Sequence, residues 1–252
     1  MAEQKKMKVM LIRHTICPEE TIALAAKLCY SKATIEDLNE KISQKDQSIF
    51  IEKLMNMGHE SVLEHTIFTF GVEGVSRVLL AQLTRHRIAS FSVQSQRYVS
   101  YENGFGYIIP ESIEALGNNA IEKYKNQMET IEEWYKEWQQ LLGNRGEKSN
   151  EDARFVLPNA CETRIIITMN TRELLHFFSL RMCNRAQWEI REMAKQMFEL
   201  CLKTAPSLFR NAGPSCIRGV CKEGNKSCGK ASQVREAHKA LLKTIMEEER
   251  DG

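Results

Sequence analysis

No run of this 252-residue chain is apolar over anything near the roughly 20 residues a membrane-spanning helix needs, which excludes a bilayer crossing. An excess of one charge sign is also missing. Thirty-five basic against 33 acidic residues leave +2, so the whole molecule has no electrostatic reason to seek nucleic acid or anionic lipid, and a basic site must be local. The eight cysteines contain no C-x2-C pair, the usual zinc spacing, and without secretory context they read as reduced thiols of a cytoplasmic protein. An H-E-x-x-H motif is lacking too: in GHESVLEH His59 and His65 stand six apart and Glu60 precedes Ser61, so no metal is assigned there. The opening MAEQKKMKVMLIRHTICPEE has neither a long apolar core nor a small-residue cleavage site and reads as a first strand.

What is present is a mixed set of elements. KVMLIRH predicts a strand, and PEETIALAAKLCY (18–30) a helix opened by proline and acidic residues. QSIFIEKLMNM (47–57) predicts a second helix that stops at Gly58. HTIFTFGVEG (65–74) predicts a buried strand with Thr66, Phe68, Phe70 and Val72 on one face, and SRVLLAQLTRHR a helix after it. Over 119–142, Ile121, Tyr124, Met128, Ile131, Trp134, Trp138 and Leu141 form one apolar face for core or subunit contact. GNRGEKSN (143–150) reads as a loop and ETRIIITMN (162–170) as a strand. TRELLHFFSLRM and QWEIREMAKQMFELCLK read as helices. This order lacks a β-α-β rhythm and points to an α+β fold.

RHRIASFSVQSQRY, residues 85–98, holds three arginines and a histidine with no acid among them. Gln82 precedes Arg85, His86 and Arg87 on a helix; beyond them an extended chain would turn Ser95 and Arg97 the same way. A hydroxyl beside a guanidinium suits a phosphate, and a plain solvated basic turn, or arginines paired with Glu60, Glu64 or Glu73, is the competing reading. Later, EDARFVLP carries Arg154, and NTRELLHFFSLR carries Asn170, Arg172, His176 and Arg181. Asn170 suits a helix N-cap with Glu173 three residues on. Arg172 and His176 share a face, whereas Arg181 lies half a revolution away.

GHESVLEH, RHR with Ser95 after it, SQRY, ARFVLP, MNTRELLHFFSLR and AQWEIR together resemble the flavin-dependent thymidylate synthases over roughly residues 8–210. The resemblance implies conversion of dUMP to dTMP, with 5,10-methylenetetrahydrofolate as carbon donor, NADPH as reductant and FAD as hydride carrier. It also implies a homotetramer with active sites between subunits. Gln82, Arg85, Ser95, Gln96 and Arg97 would hold dUMP, with Arg154 reaching the phosphate from a neighbouring subunit and Arg181 against the uracil as the catalytic arginine. Ser61, Arg85, His86, Arg87, Asn170, Arg172 and His176 would contact FAD. The expected architecture is a mixed, largely antiparallel sheet flanked by helices: one catalytic domain over 1–212, then an irregular cysteine-containing tail, 213–252, with a terminal helix.

The chain departs from that pattern at Ser92 and Val93, where many relatives carry Asn-Glu, and Cys29 replaces an early flavin-contact serine and His176 a later asparagine. No base stands in sequence to activate Ser95, which reads as a phosphate donor rather than a nucleophile, leaving the chemistry to the flavin. In the tail, Cys216, Cys221, Cys228 and His238 are the conceivable zinc ligands, but C-x4-C-x6-C spacing argues against a metal, and a loosely packed extension is expected. A nucleic-acid module, with Phe91 or Tyr98 stacking on bases, would need a continuing basic stripe that the acidic long helix interrupts. A redox or zinc regulator built on the tail is the remaining alternative, separable by metal analysis and truncation.

Overall fold

A computed structural model of the chain describes residues 2–251. The first half runs β1 (Glu3–Gln4), β2 (Lys8–His14), α1 (Pro18–Leu28), α2 (Ile35–Ser43), α3 (Ser48–Met57), β3 (Ile67–Ser76), α4 (Arg77–Leu83), β4 (Ala89–Val93) and β5 (Gly106–Tyr107). The second runs α5 (Glu111–Glu114), α6 (Asn118–Leu141), α7 (Glu147–Ala153), β6 (Glu162–Asn170), α8 (Thr171–Arg181), α9 (Trp188–Thr204), α10 (Pro206–Phe209) and α11 (Ala231–Asp251). The fold is α+β, as the sequence predicts, with an antiparallel sheet of order β2-β3-β6-β4 and a small parallel pair, β1 with β5.

Two compact units divide the chain, each discontinuous in sequence. The first comprises residues up to Val9, Gly71–Arg87 and Phe91–Ile167; the second comprises Met10–Phe70, Ile88–Ser90 and Thr168 onward. Each strand of the larger sheet has residues in both.

The first unit gathers around α6. Tyr101, Phe105, Tyr107, Ile109, Met128 and Tyr135 form its apolar core. The face of α6 differs from the expected one in its second half: Glu132, Tyr135 and Gln139 are buried, while Trp134 and Trp138 are about half exposed. Hydrogen bonds explain the exchange. Gln139 Nε2 donates to Asn150 Oδ1 at 2.7 Å and to the Tyr135 hydroxyl at 3.2 Å, so a polar side chain is buried without the cost of an unmade bond. Asn150 belongs to α7, which occupies part of the segment expected as a loop. In β3, Gly74 has φ +67° and lies so close to the Lys6 carbonyl that a Cβ there would overlap its oxygen.

The second unit is mainly helical. Phe178 packs edge-on against Phe198 and Phe209, with ring centroids 5.7 and 6.0 Å apart, and all three are fully buried. Burial of a phenylalanine of this kind stabilises by about 1.5–3 kcal/mol before packing geometry is counted. α3 ends on Gly58 in the left-handed region, the stop the sequence predicts. The tail is packed in part: Pro214, Cys216, His238 and Ile245 are buried and α11 packs on α9, whereas residues 218–230 are exposed apart from the half-buried Cys221. No helix of the described residues is long and apolar enough to cross a membrane.

Candidate functional site

In the first unit, α4 opens with Ser76, whose hydroxyl accepts the Leu79 N–H at 3.1 Å, and closes at Leu83. Gln82 is half-buried near its end. The RHR triplet then points alternately: Arg85 and Arg87 are exposed, and His86 between them is 5% exposed. After β4 the chain does not stay extended as expected. Gln96–Tyr98 form a turn in which the Ser95 hydroxyl accepts the backbone N–H of Arg97 at 3.1 Å and of Tyr98 at 3.4 Å. A serine side chain satisfying nearby N–H groups competes with the strand ladder and here ends it. Ser95 and Arg97 are therefore related by a turn, not by strand alternation.

That turn divides the expected nucleotide residues by direction. Gln96 is buried and its Nε2 donates to Cys161 Sγ at 3.4 Å. Arg97 points to α7, with Nη2 2.6 Å from Glu147 Oε1 and Nε 3.4 Å from Glu151 Oε2. The second approach is misaligned for hydrogen bonding, so Arg97 Nε is a buried donor without an acceptor. Asn150 Nδ2 fixes the same residue by donating to its carbonyl at 3.0 Å. Arg154, one turn further, donates from Nε to the Glu151 carbonyl at 3.0 Å. Sequence reading missed Glu147 and Glu151, although their four-residue spacing in GEKSNEDAR is a helical signal.

In the second unit, α8 begins as predicted, with Asn170 Oδ1 accepting the Glu173 N–H at 2.8 Å. The cap leaves the Asn170 amide nitrogen as a donor. Behind it, Thr171 Oγ1 and Thr66 Oγ1 lie 2.6 Å apart in the interior and fix the helix entry. Asn170, Arg172 and His176 line one cavity of about 550 Å³, together with Glu60, Glu64 and the tail residues Arg218 and Lys222. Arg172 Nη1 is 2.6 Å from Glu64 Oε1, and its Nε is 3.4 Å from Glu60 Oε2. The hydrogen bond that Arg172 donates to Glu64 is the first cause that raises the Arg172 pKa above its ordinary value.

Of the expected flavin contacts, Ser61, Arg85, His86 and Arg87 are not in that lining, nor is Arg181, expected at the uracil. Ser61 lines a second cavity, about 710 Å³, shared with Cys29, Lys53 and His59. Arg181 ends α8, half-buried. On its basic donors the first cavity can take an anionic group, beside the carboxylates of Glu60, Glu64 and Glu173 that share its lining. Its size falls within the usual few hundred to about 1,000 Å³ of ligand pockets. Guanidinium, imidazole, amide and ammonium donors meet there at the N-terminus of α8, where the helix dipole favours negative charge. Arg218 and Lys222 could not be assigned from sequence, because nothing local ties the tail to α8.

Thiol chemistry is constrained as well. Cys161, beside Gln96, is fully buried, and burial pushes its thiol up to about 11, so at neutral pH it is protonated and a poor nucleophile. Among the described residues no carboxylate or imidazole is hydrogen-bonded to the Ser95 hydroxyl.

Comparison with known proteins adds an independent line. The family model described as "Thymidylate synthase complementing protein" matches residues 10–207. A protein of Geobacter sulfurreducens named flavin-dependent thymidylate synthase is 49% identical over 236 residues, covering 93% of this chain and 99% of its own. One of the same name from Clostridium tetani is 46% identical over 242 residues, covering 92% and 97%. A third, from Pyrococcus furiosus, is 44% identical over 225 residues, covering 86% and 90%.

Proposed function

This chain belongs to the thymidylate synthase complementing protein family, whose relatives are flavin-dependent thymidylate synthases, and we propose that it methylates dUMP reductively to dTMP. The carbon donor is 5,10-methylenetetrahydrofolate and the reductant NADPH. FAD, when bound, supplies the hydride-carrying chemistry. The observation that carries this reading is the single cavity at the N-terminus of α8, lined by Asn170, Arg172 and His176.

In this reading Asn170, Arg172 and His176 hold the flavin nucleotide, joined by Ser61, Arg85, His86 and Arg87. Arg172 changes partners, exchanging the Glu60 and Glu64 carboxylates for phosphate oxygens. Gln82, Arg85, Ser95, Gln96 and Arg97 bind dUMP, and Arg154 of a neighbouring subunit reaches its phosphate. The unmatched Nε of Arg97 supports an anion there, because a buried donor without an acceptor is costly until one arrives. Arg181 lies against the uracil and favours the ionised ring nitrogen by its charge. No protein nucleophile takes part. Two observations support this: the Ser95 hydroxyl is occupied by backbone N–H groups, and the Cys161 thiol is held protonated by burial.

A cytoplasmic homotetramer with sites between subunits completes the reading. The half-exposed Trp134 and Trp138 and the exposed Leu141 of α6 support it, since so much apolar surface on one helix suits a subunit contact. The test is mass-spectrometric detection of dTMP from dUMP, methylenetetrahydrofolate and NADPH, with and without FAD, for the wild type and Arg181→Ala. FAD-dependent product that vanishes in the variant is expected. Flavin-loaded wild type that makes no dTMP overturns the assignment.

A further inference from the structure

Four of the eight cysteines meet in one place. Cys183 follows the end of α8, Cys216 lies in a short 3-10 turn (Ser215–Ile217), and Cys221 and Cys228 flank another (Gly224–Lys226). All four line a single cavity of about 30 Å³, and none is in a disulfide. We propose that Cys183, Cys216, Cys221 and Cys228 bind one zinc ion that pins the carboxyl-terminal tail to the end of α8.

The donor set and the space decide the ligand class. Four thiols are the ligand set of structural zinc, a tetrahedral ion without redox chemistry of its own. A cavity of about 30 Å³ has room for one ion, not for an iron–sulfur cluster. The one carboxylate on its wall, Glu223, is taken by Arg185 at 2.5 Å. His238, a conceivable ligand by sequence, is excluded: it is buried against Phe198, and its Nε2 meets the Arg210 carbonyl at 2.9 Å. The C-x4-C-x6-C spacing argued against a metal because it lacks a C-x2-C pair; the fourth thiol, Cys183, comes from 33 positions upstream of Cys216.

The surroundings are those of a ligand loop. Arg235 of α11 donates to the carbonyls of Cys216 at 2.7 Å and Gly219 at 2.9 Å. Lys222 N–H donates to the Ser215 hydroxyl at 3.1 Å, closing the turn that carries Cys216 and Cys221. Asn184 Nδ2 approaches Cys228 Sγ at 3.8 Å. Such N–H groups orient and stabilise ligating sulfur. The loop itself buries little apolar surface, with Val220 87% exposed, which is where a metal contributes folding free energy. Among the described residues no three such donors already surround one point at ligating distance. The thiols share a wall and close on the ion as it binds, releasing their protons to solvent.

The test uses the full chain and does not depend on its activity. Protein made in zinc-supplemented medium and dialysed is analysed for metals by mass spectrometry. One zinc per chain is expected in the wild type and in the exposed control Cys17→Ser, falling to background in Cys221→Ser and Cys228→Ser. To separate loss of ligand from loss of fold, wild-type zinc is stripped with a chelator under reducing conditions and Co2+ is titrated back. One equivalent giving thiolate-to-cobalt charge-transfer and tetrahedral ligand-field bands supports the site. Zinc below about a tenth of an equivalent, with no such bands, overturns it. So does zinc that survives both tail substitutions, iron with sulfide in its place, or a disulfide among these cysteines in reduced preparations.

Discussion

Gly74 and Gly58 offer a controlled comparison, because both have positive φ, +67° and +74°, but different surroundings. At Gly58 nothing lies within 4 Å of where a Cβ would stand, so Gly58→Ala meets only the left-handed backbone penalty, about 1–2 kcal/mol. At Gly74 the same penalty is joined by overlap with the Lys6 backbone carbonyl, which has no rotamer to escape into. Overpacking of this sort adds about 1–3 kcal/mol, so Gly74→Ala should lose about 2 kcal/mol more than Gly58→Ala. That difference is roughly a thirtyfold change in the folded-to-unfolded ratio. Urea unfolding followed by far-UV circular dichroism, at one fixed protein concentration, reads it directly. Equal losses would refute the reasoning, showing that β3 shifts from the Lys6 backbone at negligible cost. A larger loss at Gly58 would refute it more strongly.

Alkaline pH should weaken the fold through Cys161. Its folded-state pKa, about 11, is raised above the ordinary 9.0, so its stabilising share is intact below about 9 and is lost as pH rises toward 11; Cys161→Ala should flatten that part of the stability curve. At the head of α8, cap and ligand roles separate. Asn170→Ala should cost about 1 kcal/mol of stability and weaken FAD binding; Asn170→Asp, which keeps the capping oxygen but loses the amide donor, should weaken FAD binding alone, as read by fluorescence titration.

Sequence periodicity found the elements whose faces are purely apolar. β3 buries Phe68, Phe70 and Val72 as expected, and α8 starts on Asn170 because capping is a local rule. It failed where polar groups are satisfied from a distance. The buried face of α6 includes Glu132 and Gln139, which hydropathy assigns to solvent; Asn150 of α7 makes Gln139 tolerable there, while Glu132 is paired with Lys136 one turn on. The Ser95 turn was missed for a local reason instead: the hydroxyl's preference for the Arg97 and Tyr98 N–H groups outweighed strand continuation. In the site, Asn170, Arg172 and His176 were found together because one helix carries them. Arg218 and Lys222, and Cys183 with the tail cysteines, needed long-range closure that no spacing encodes.

The alternation of the chain between its two compact units also bears on inheritance. Five crossings separate the residues up to Val9 from those after Thr168, so neither unit corresponds to one stretch of gene. Recombination at a single breakpoint could not donate either unit whole, and a lineage could not acquire one by fusing a ready-made module.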